Sequence, residues 1–320
     1  MASIPAGAAI RVRAPASSAN LGPGFDCIGL ALGIWDQVDF TVTAEPGLLI
    51  EVEGSGAGGV PRDESHLVYR SMRGAFEQLG VEAPAGVHMV ARNAVPHGRG
   101  LGSSATAIVA GVIAAQGLCA FVAGGPMRPG DPIAVDVALA CGIASDLEGH
   151  PDNASATVYG GMTLSWFADG GHDQPGATMT VQLPLHPAVT AIAFVPEATL
   201  ATHTARALLP DRVPFRHAAL NSARAALLVE AATRRPDLLV PATRDWLHQE
   251  ARRPSYAASM DLVDDLRRRG HAAFISGAGP SVLVLTTADR AREVTAPRAP
   301  GRWERLVPGI PSHGATVVAG

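Results

Sequence analysis

No lysine occurs anywhere in the 320 residues; all 25 basic residues are arginine. That absence excludes a phosphate loop of the G-x-x-x-x-G-K-S/T type, and with it Schiff-base and lysine general-base chemistry. Any phosphate handled by this chain must be met by backbone N–H groups, arginine and a metal ion. Cysteine is scarce as well. Cys27, Cys119 and Cys141 are far apart and form no C-x-x-C pair, which suits a reduced cytosolic protein better than a disulfide scaffold. A basic surplus is also missing: the formal net charge is -4, so no field draws in nucleic acid or an anionic membrane. The opening Met-Ala-Ser-Ile-Pro has no basic region followed by an apolar stretch, so no signal peptide is expected and the location reads as cytoplasmic. Leu101 to Gly125 carries no charge and is long enough to cross a bilayer, but alanine, glycine and serine dominate it. A buried helix is the expected reading.

Apolar residues make up 47% and charged residues 17%, enough for real cores, and the length suits two domains, here 1–165 and 166–320. Alternation predicts strands at 9–13, 38–43, 48–52 and 87–90, with helical spacing at 67–79. A Pro/Ser/Asn/Gly-rich segment at 15–24 separates the first strand from an apolar run at 27–35. Further helices are expected from about Ser104, over 133–145 and over 216–233, with Arg-rich helical turns at 244–253 and 260–269. The stretch 167–178 reads as a linker or exposed hairpin, and strands are expected at 189–195, 272–275, 282–286 and 315–318. Strands and helices mix without regular βαβ alternation, so the fold class is α+β.

Pro96-His-Gly-Arg-Gly-Leu-Gly-Ser-Ser-Ala-Thr106 is the most informative segment. Its glycines permit positive φ and close approach, and a helix begins directly after it. Free N–H groups and the positive dipole end would converge there on an anion. Ser103 or Ser104 could cap that helix or present a hydroxyl to a metal. In the segment 14–32, Asn20 and Asp26 bracket Gly22, Pro23 and Gly24. Asn20 offers a donor and an acceptor to a hydroxyl, and Asp26 an anion to an ammonium group; a turn satisfying only its own backbone is the alternative.

The wording Gly100-Leu-Gly-Ser-Ser-Ala105 resembles the phosphate loop of the GHMP kinases, which bind ATP without a Walker lysine. The segment from Ala14 to Leu32 looks like their first motif in its homoserine kinase form, and Phe274-Ile-Ser-Gly-Ala-Gly-Pro-Ser-Val282 looks like their third. The resemblance implies a two-domain GHMP kinase fold: an N-terminal ATP-binding domain of the ribosomal-protein-like type, then a C-terminal ferredoxin-like antiparallel sheet with helices. It implies ATP and Mg²⁺ as cofactors, a homodimer, and phosphorylation of L-homoserine in threonine biosynthesis. Pro96, Gly98, Arg99, Gly100, Leu101, Gly102, Ser103, Ser104, Ala105, His66 and Gly277 would then surround the nucleotide, with Ser104 and Glu148 on the metal. Asn20, Asp26, His150, Thr202, Arg206 and Arg252 would read the amino acid, and Asn20, His150 and Arg206 would carry the catalytic roles. Two arginines clamping one carboxylate, with Asp26 on the ammonium, form a complete reader for an α-amino acid. The family version has no obvious base, so positioning and charge neutralisation carry the chemistry.

Three departures from that pattern stand out. His66 replaces an asparagine usual near the base, Glu250-Ala251 replaces Pro-Tyr before Arg252, and Ala154-Ser155-Ala156 replaces Val-Ala-Pro. A paralogue acting on a related hydroxy-amino acid, or a non-catalytic ligand-binding protein of the same fold, stays open at this point.

Overall fold

The computed structural model describes residues 3–123, 127–168, 177–200, 205–295 and 303–320. Two sheets organise them. The first contains β1 (Ala9–Asn20), β2 (Gly24–Val42), β3 (Gly47–Gly54) and β4 (Gly86–Asn93), together with β5 (Met162–Phe167) and β6 (Thr178–Leu183). The last strand of the chain, β11 (Thr316–Ala319), returns to pair with β1, giving the order β11-β1-β2-β4-β3 with β5 and β6 branching from β2. Only β3 and β4 are parallel. The second sheet is antiparallel in the order β10-β7-β9-β8: β7 (Val189–Pro196), β8 (Ala272–Ile275), β9 (Val282–Thr287) and β10 (Trp303–Leu306).

Residues 15–20, expected to be irregular, continue β1 as a buried strand. Their composition misleads because Ser17 and Ser18 are fully buried polar residues that serve the site rather than a turn. At the ends of the stretch 167–178, Phe167 pairs with Thr178 across β5 and β6; residues 169–176 lie outside the described residues. Helix α1 (Leu67–Leu79) matches its sequence pattern: Val68, Met72, Ala75 and Phe76 face inward, and Gly80 ends it at φ 65°. The helix expected over 133–145 starts and ends a few residues later, and a further helix that was not expected follows it. The first, α3 (Val137–Glu148), starts where Asp136 accepts from the Leu139 N–H and stops at Gly149; the second, α4 (Pro151–Tyr159), starts with proline. Helix α2 (Ser103–Ala123) is uncharged and about two-thirds buried, and it packs against α1, β1 and α3. It is a core helix.

The strands of the second sheet show why both of its faces are apolar. Ala191, Ala193, Phe274, Leu283 and Leu285 face one core, while Ile192, Phe194, Ile275, Val282 and Val284 face another. The outer core is closed by helix α6 (Ala257–Arg268), through Leu262 and Leu266. The inner core also takes Ala16, Leu21, Leu30, Leu32 and Leu101 from the first sheet and its loop, and Leu228 and Ala231 from α5 (Phe215–Thr233). The two sheets therefore meet through one shared core, and the glycine loop ends in it.

Candidate active site

The glycine loop joins β4 to α2 and is pinned at both ends. At its start the Asp36 carboxylate accepts from the N–H groups of Ala94 (2.7 Å) and Val95 (2.8 Å). Burial pushes Asp36 up to about 6, against the pull of those two donors. Further along, Gly100 and Gly102 hold φ 71° and 70°. A Cβ at Gly100 would lie 2.4 Å from the Ser276 carbonyl oxygen, and one at Gly102 only 2.1 Å from Ser17 Oγ. The loop is thus wedged between β1 and the turn after β8. Its carbonyls are taken up by those neighbours: Leu101 O accepts from the Ser17 N–H, Arg99 O from the Ser281 N–H, and Gly100 O lies 2.6 Å from Ser276 Oγ. Among the described residues, no backbone N–H from Gly98 to Ser104 donates to another protein group. A cluster of unused donors at a helix N-terminus is an anion site by construction. Gly102→Ala is expected to cost about 1–2 kcal/mol or more, because both φ and space forbid the side chain. A lowered Tm together with a raised KM for ATP would show it.

Cavities open on either side of this loop. One, of about 320 Å³, is lined by Val60, Pro61, His66, Asn93 and His97 and reaches Gly98, Ser103 and Ser104. His66 is 5% exposed and its Nδ1 is shielded from solvent without a partner. Burial and the neighbouring His97 hold it below its ordinary pKa, so it is neutral at pH 7. A shielded ring nitrogen facing an apolar slot suits the edge of a heteroaromatic base.

The other cavity, of about 70 Å³, is lined by Asn20, Asp26, Glu148, His150, Arg206 and Arg252 together with the loop. Ser104 Oγ donates to Glu148 Oε2 at 3.0 Å, so the two candidate metal ligands stand side by side. Burial raises the Glu148 carboxyl above the usual range, partly offset by His150 and Ser104. His150 Nδ1 lies 3.1 Å from Asp152 Oδ1. Burial opposes charge on this imidazole, but the hydrogen bond and charge of Asp152, helped by Glu148 and Asp26, lift it to about 9. His150 is therefore an imidazolium at neutral pH. Asp152 also accepts from the Asn153 N–H, and Asn153 Oδ1 accepts from Ser17 Oγ, so both residues fasten α4 to β1 and aim His150.

The loop from Asn20 to Asp26 holds three non-glycine residues at positive φ: Asn20 (70°), Leu21 (44°) and Asp26 (55°). Such conformations concentrate at functional sites. Asn20 maintains them, donating from Nδ2 to Gly277 O (3.1 Å) and accepting the Asp26 N–H at Oδ1 (3.0 Å). Arg206 forks onto Asp26, with NH2 2.5 Å from Oδ2 and NH1 3.3 Å from Oδ1. Arg252 is 2% exposed, donates to Ala205 O and pairs with no carboxylate among the described residues; burial and Arg206 depress its pKa, while Asp26 raises it. Phe25 lies between the two guanidinium groups, 5.8 Å from that of Arg206 and 5.5 Å from that of Arg252.

Of the remaining sequence-designated residues, Gly277 sits in the cleft wall and donates its N–H to Ala19 O. Leu101 and Ala105 are core residues at the loop's base. The Arg99 guanidinium is directed onto the carbonyls of His97, Pro196 and Glu197, leaving only its backbone in the loop. Pro96 lines a surface hollow with Arg99 and Trp303. Thr202 lies outside the described residues. Glu250, one of the departures before Arg252, is exposed and held by Arg253. The departure at 154–156 is a packing one: Gly29 of β2 meets Asp152 and Ala156 so closely that only small residues fit. Sequence reasoning assigned no role to Asp36, Phe25 or the positioning function of Asp152; the one available signal was the acidic residue two places after His150.

Residues 66–161 match the family described as GHMP kinases N terminal domain. The chain is 48% identical over 311 residues to the homoserine kinase of Streptomyces coelicolor, covering 97% of this chain and 95% of that protein. It is 47% identical to the homoserine kinase of Rhodococcus opacus, covering 89% of each. The crystal structure of homoserine kinase from Cytophaga hutchinsonii superposes with a TM-score of 0.79 at 26% identity, over 97% of both chains. Mevalonate diphosphate decarboxylase from Enterococcus faecalis shares the fold alone, with a TM-score of 0.63 at 13% identity.

Proposed function

The chain belongs to the homoserine kinases of the GHMP kinase family, and from that we propose that its cleft passes the γ-phosphoryl group of ATP directly, in line, to the side-chain hydroxyl of L-homoserine. The product is O-phospho-L-homoserine, on the way to threonine. One observation carries the reading at this site: an amino-acid reader (Asp26, Arg206, Arg252, His150) and a base-sized slot open on opposite sides of one loop of unused N–H donors.

In this reading residues 1–165 supply the nucleotide side, and residues 166–320 contribute Arg206 and Arg252. The base lies in the slot beside neutral His66, and the loop N–H groups from Gly98 to Ser104 hold the phosphates. Ser104 and Glu148 are hard oxygen donors 3.0 Å apart and fit magnesium, which when bound would neutralise β- and γ-phosphate charge. Asn20 keeps one N–H and one lone pair beyond its two backbone bonds, enough to orient the attacking hydroxyl. Imidazolium His150 offers its free Nε2–H to anionic substrate oxygens. No side chain is assigned as a base; orientation and charge stabilisation supply the rate. The Asp26–Arg206 fork opens to admit substrate, Asp26 taking the ammonium and Arg206 joining Arg252 on the carboxylate. A cytoplasmic homodimer completes the proposal and rests on the family resemblance.

ADP release with ATP, Mg²⁺ and L-homoserine, run beside serine, threonine and mevalonate, tests this reading. Turnover confined to homoserine is expected, and Arg206→Ala should raise its KM roughly tenfold at unchanged KM for ATP. Equal loss of ATP affinity would remove the assigned division of labour. Turnover with another hydroxy-amino acid alone would move the substrate assignment.

A further inference from the structure

A cavity of about 1060 Å³ lies behind the amino-acid loop and belongs to neither side of the cleft. Arg212, Arg224, Arg244, Arg267 and Arg268 line it, with Trp246 in its wall. The acidic residues along it are already engaged. Asp245 accepts from the N–H groups of Leu247, His248 and Gln249, while Glu250 and Asp264 both clasp Arg253. Among the described residues, Arg212, Arg224, Arg244 and Arg267 make no ion pair. Arg267 donates only to neutral oxygens, those of Thr243, Ala273 and Val240. Burial first, then Arg244 and Arg224, depress its pKa, against the pull of the Asp264 carboxylate. Arg224 Nε and Trp246 Nε1 are shielded donors without an acceptor.

Like charges held together without ion-pair partners of their own destabilise a fold unless an anion joins them. The planar forks of arginine favour phosphate or carboxylate. Apolar groups, including Val213, Val240 and Met260, complete the lining, so a ligand with an organic body and an acidic end fits better than a bare ion.

The cavity wall also touches the amino-acid loop. Thr243 O lies so close to Gly22 that a Cβ there would sit 2.4 Å away. The backbone N–H of Trp246 donates to Asn221 Oδ1, the Asn221 Nδ2 donates to Pro23 O at 2.8 Å, and His248 Nε2 donates to Gly22 O at 2.8 Å. We propose that this arginine-lined groove is a second ligand site, for a small organic phosphate, whose occupancy shifts the Gly22–Asp26 loop and with it homoserine affinity. The site does not depend on the proposed reaction; its coupling to homoserine does.

Inorganic pyrophosphate is the probe, followed by calorimetric titration of the full chain in magnesium-free buffer. Two equivalents are expected, one displaced by ATP from the glycine loop and one retained. The retained equivalent should weaken at least tenfold in a variant carrying Arg224→Gln and Arg244→Gln. A single, ATP-displaceable equivalent in the unmodified protein would overturn the site, with no variant needed. So would a second equivalent indifferent to both substitutions, which would mark an adventitious ion only. With ATP present, homoserine should change the affinity of the retained equivalent about fivefold, because coupling is reciprocal. Unchanged affinity, with homoserine binding shown separately, would overturn the coupling; failure of homoserine to bind would count against the proposed function instead.

Discussion

Glu148→Ala is expected to lower kcat about 10²–10³-fold, the cost of removing one electrostatic group aimed at developing charge. The carboxylate ends α3 against the first turn of α2, where Ser104 Oγ reaches it at 3.0 Å. In the proposed site magnesium would take one or two protein oxygens and complete its shell with phosphate and water. Glu148 would be its anionic ligand, and the neighbouring acids are engaged elsewhere: Asp152 with His150, and Asp26 with Arg206. The measurement is kcat over a magnesium titration at saturating ATP and homoserine. A fall of less than tenfold, with unchanged magnesium dependence, would remove Glu148 from the metal site. The pH profile offers a second reading. Burial raises the Glu148 carboxyl in the metal-free protein, and only its ionised form holds a cation, so magnesium affinity should weaken with acid at a pH above the ordinary glutamate range.

Much of this site was legible in the sequence because its chemistry sits in the backbone. A Gly-x-Gly-x-Gly run followed by serines and a long apolar helix leaves little conformational choice, and the wedge between Ser17 and Ser276 explains why Gly100 and Gly102 must be glycine. Helix α1 was likewise readable from its period against a core, and β7 and β9 from their short apolar runs between two cores. What stayed hidden depends on partners distant in sequence. The strand at 15–20 looks like a loop because its polar residues are matched by Asn153 and Ser276, more than a hundred residues away. The fork between Asp26 and Arg206 spans 180 positions; the residue types implied an amino-acid reader, but not that its two charges would close on each other.

The charge of His150 provides the sharpest test of the substrate side. Asp152 is 2% exposed, and its hydrogen bond and charge overcome burial to lift His150 to about 9 from an ordinary 6.5. That lift corresponds to roughly 3 kcal/mol of preference for the imidazolium. The folded pKa lies above the unfolded one, so the stabilisation is fully present below about 6.5 and is lost as pH rises through about 9. If the imidazolium binds anionic substrate oxygens, kcat/KM for homoserine should decline along the same alkaline limb. Asp152→Asn keeps the shape and an acceptor for the Asn153 N–H but removes the charge, leaving burial to dominate His150. The limb should then move down to about 6.5 or below, and kcat/KM at pH 8 should drop roughly 30-fold, since the charged fraction falls from about nine-tenths to a few per cent. At pH 5.5 the variant should recover most of its activity relative to the unmodified protein. A merely structural role for Asp152 would lower kcat/KM equally at every pH and leave the limb in place, so the shape of the profile decides between the two roles.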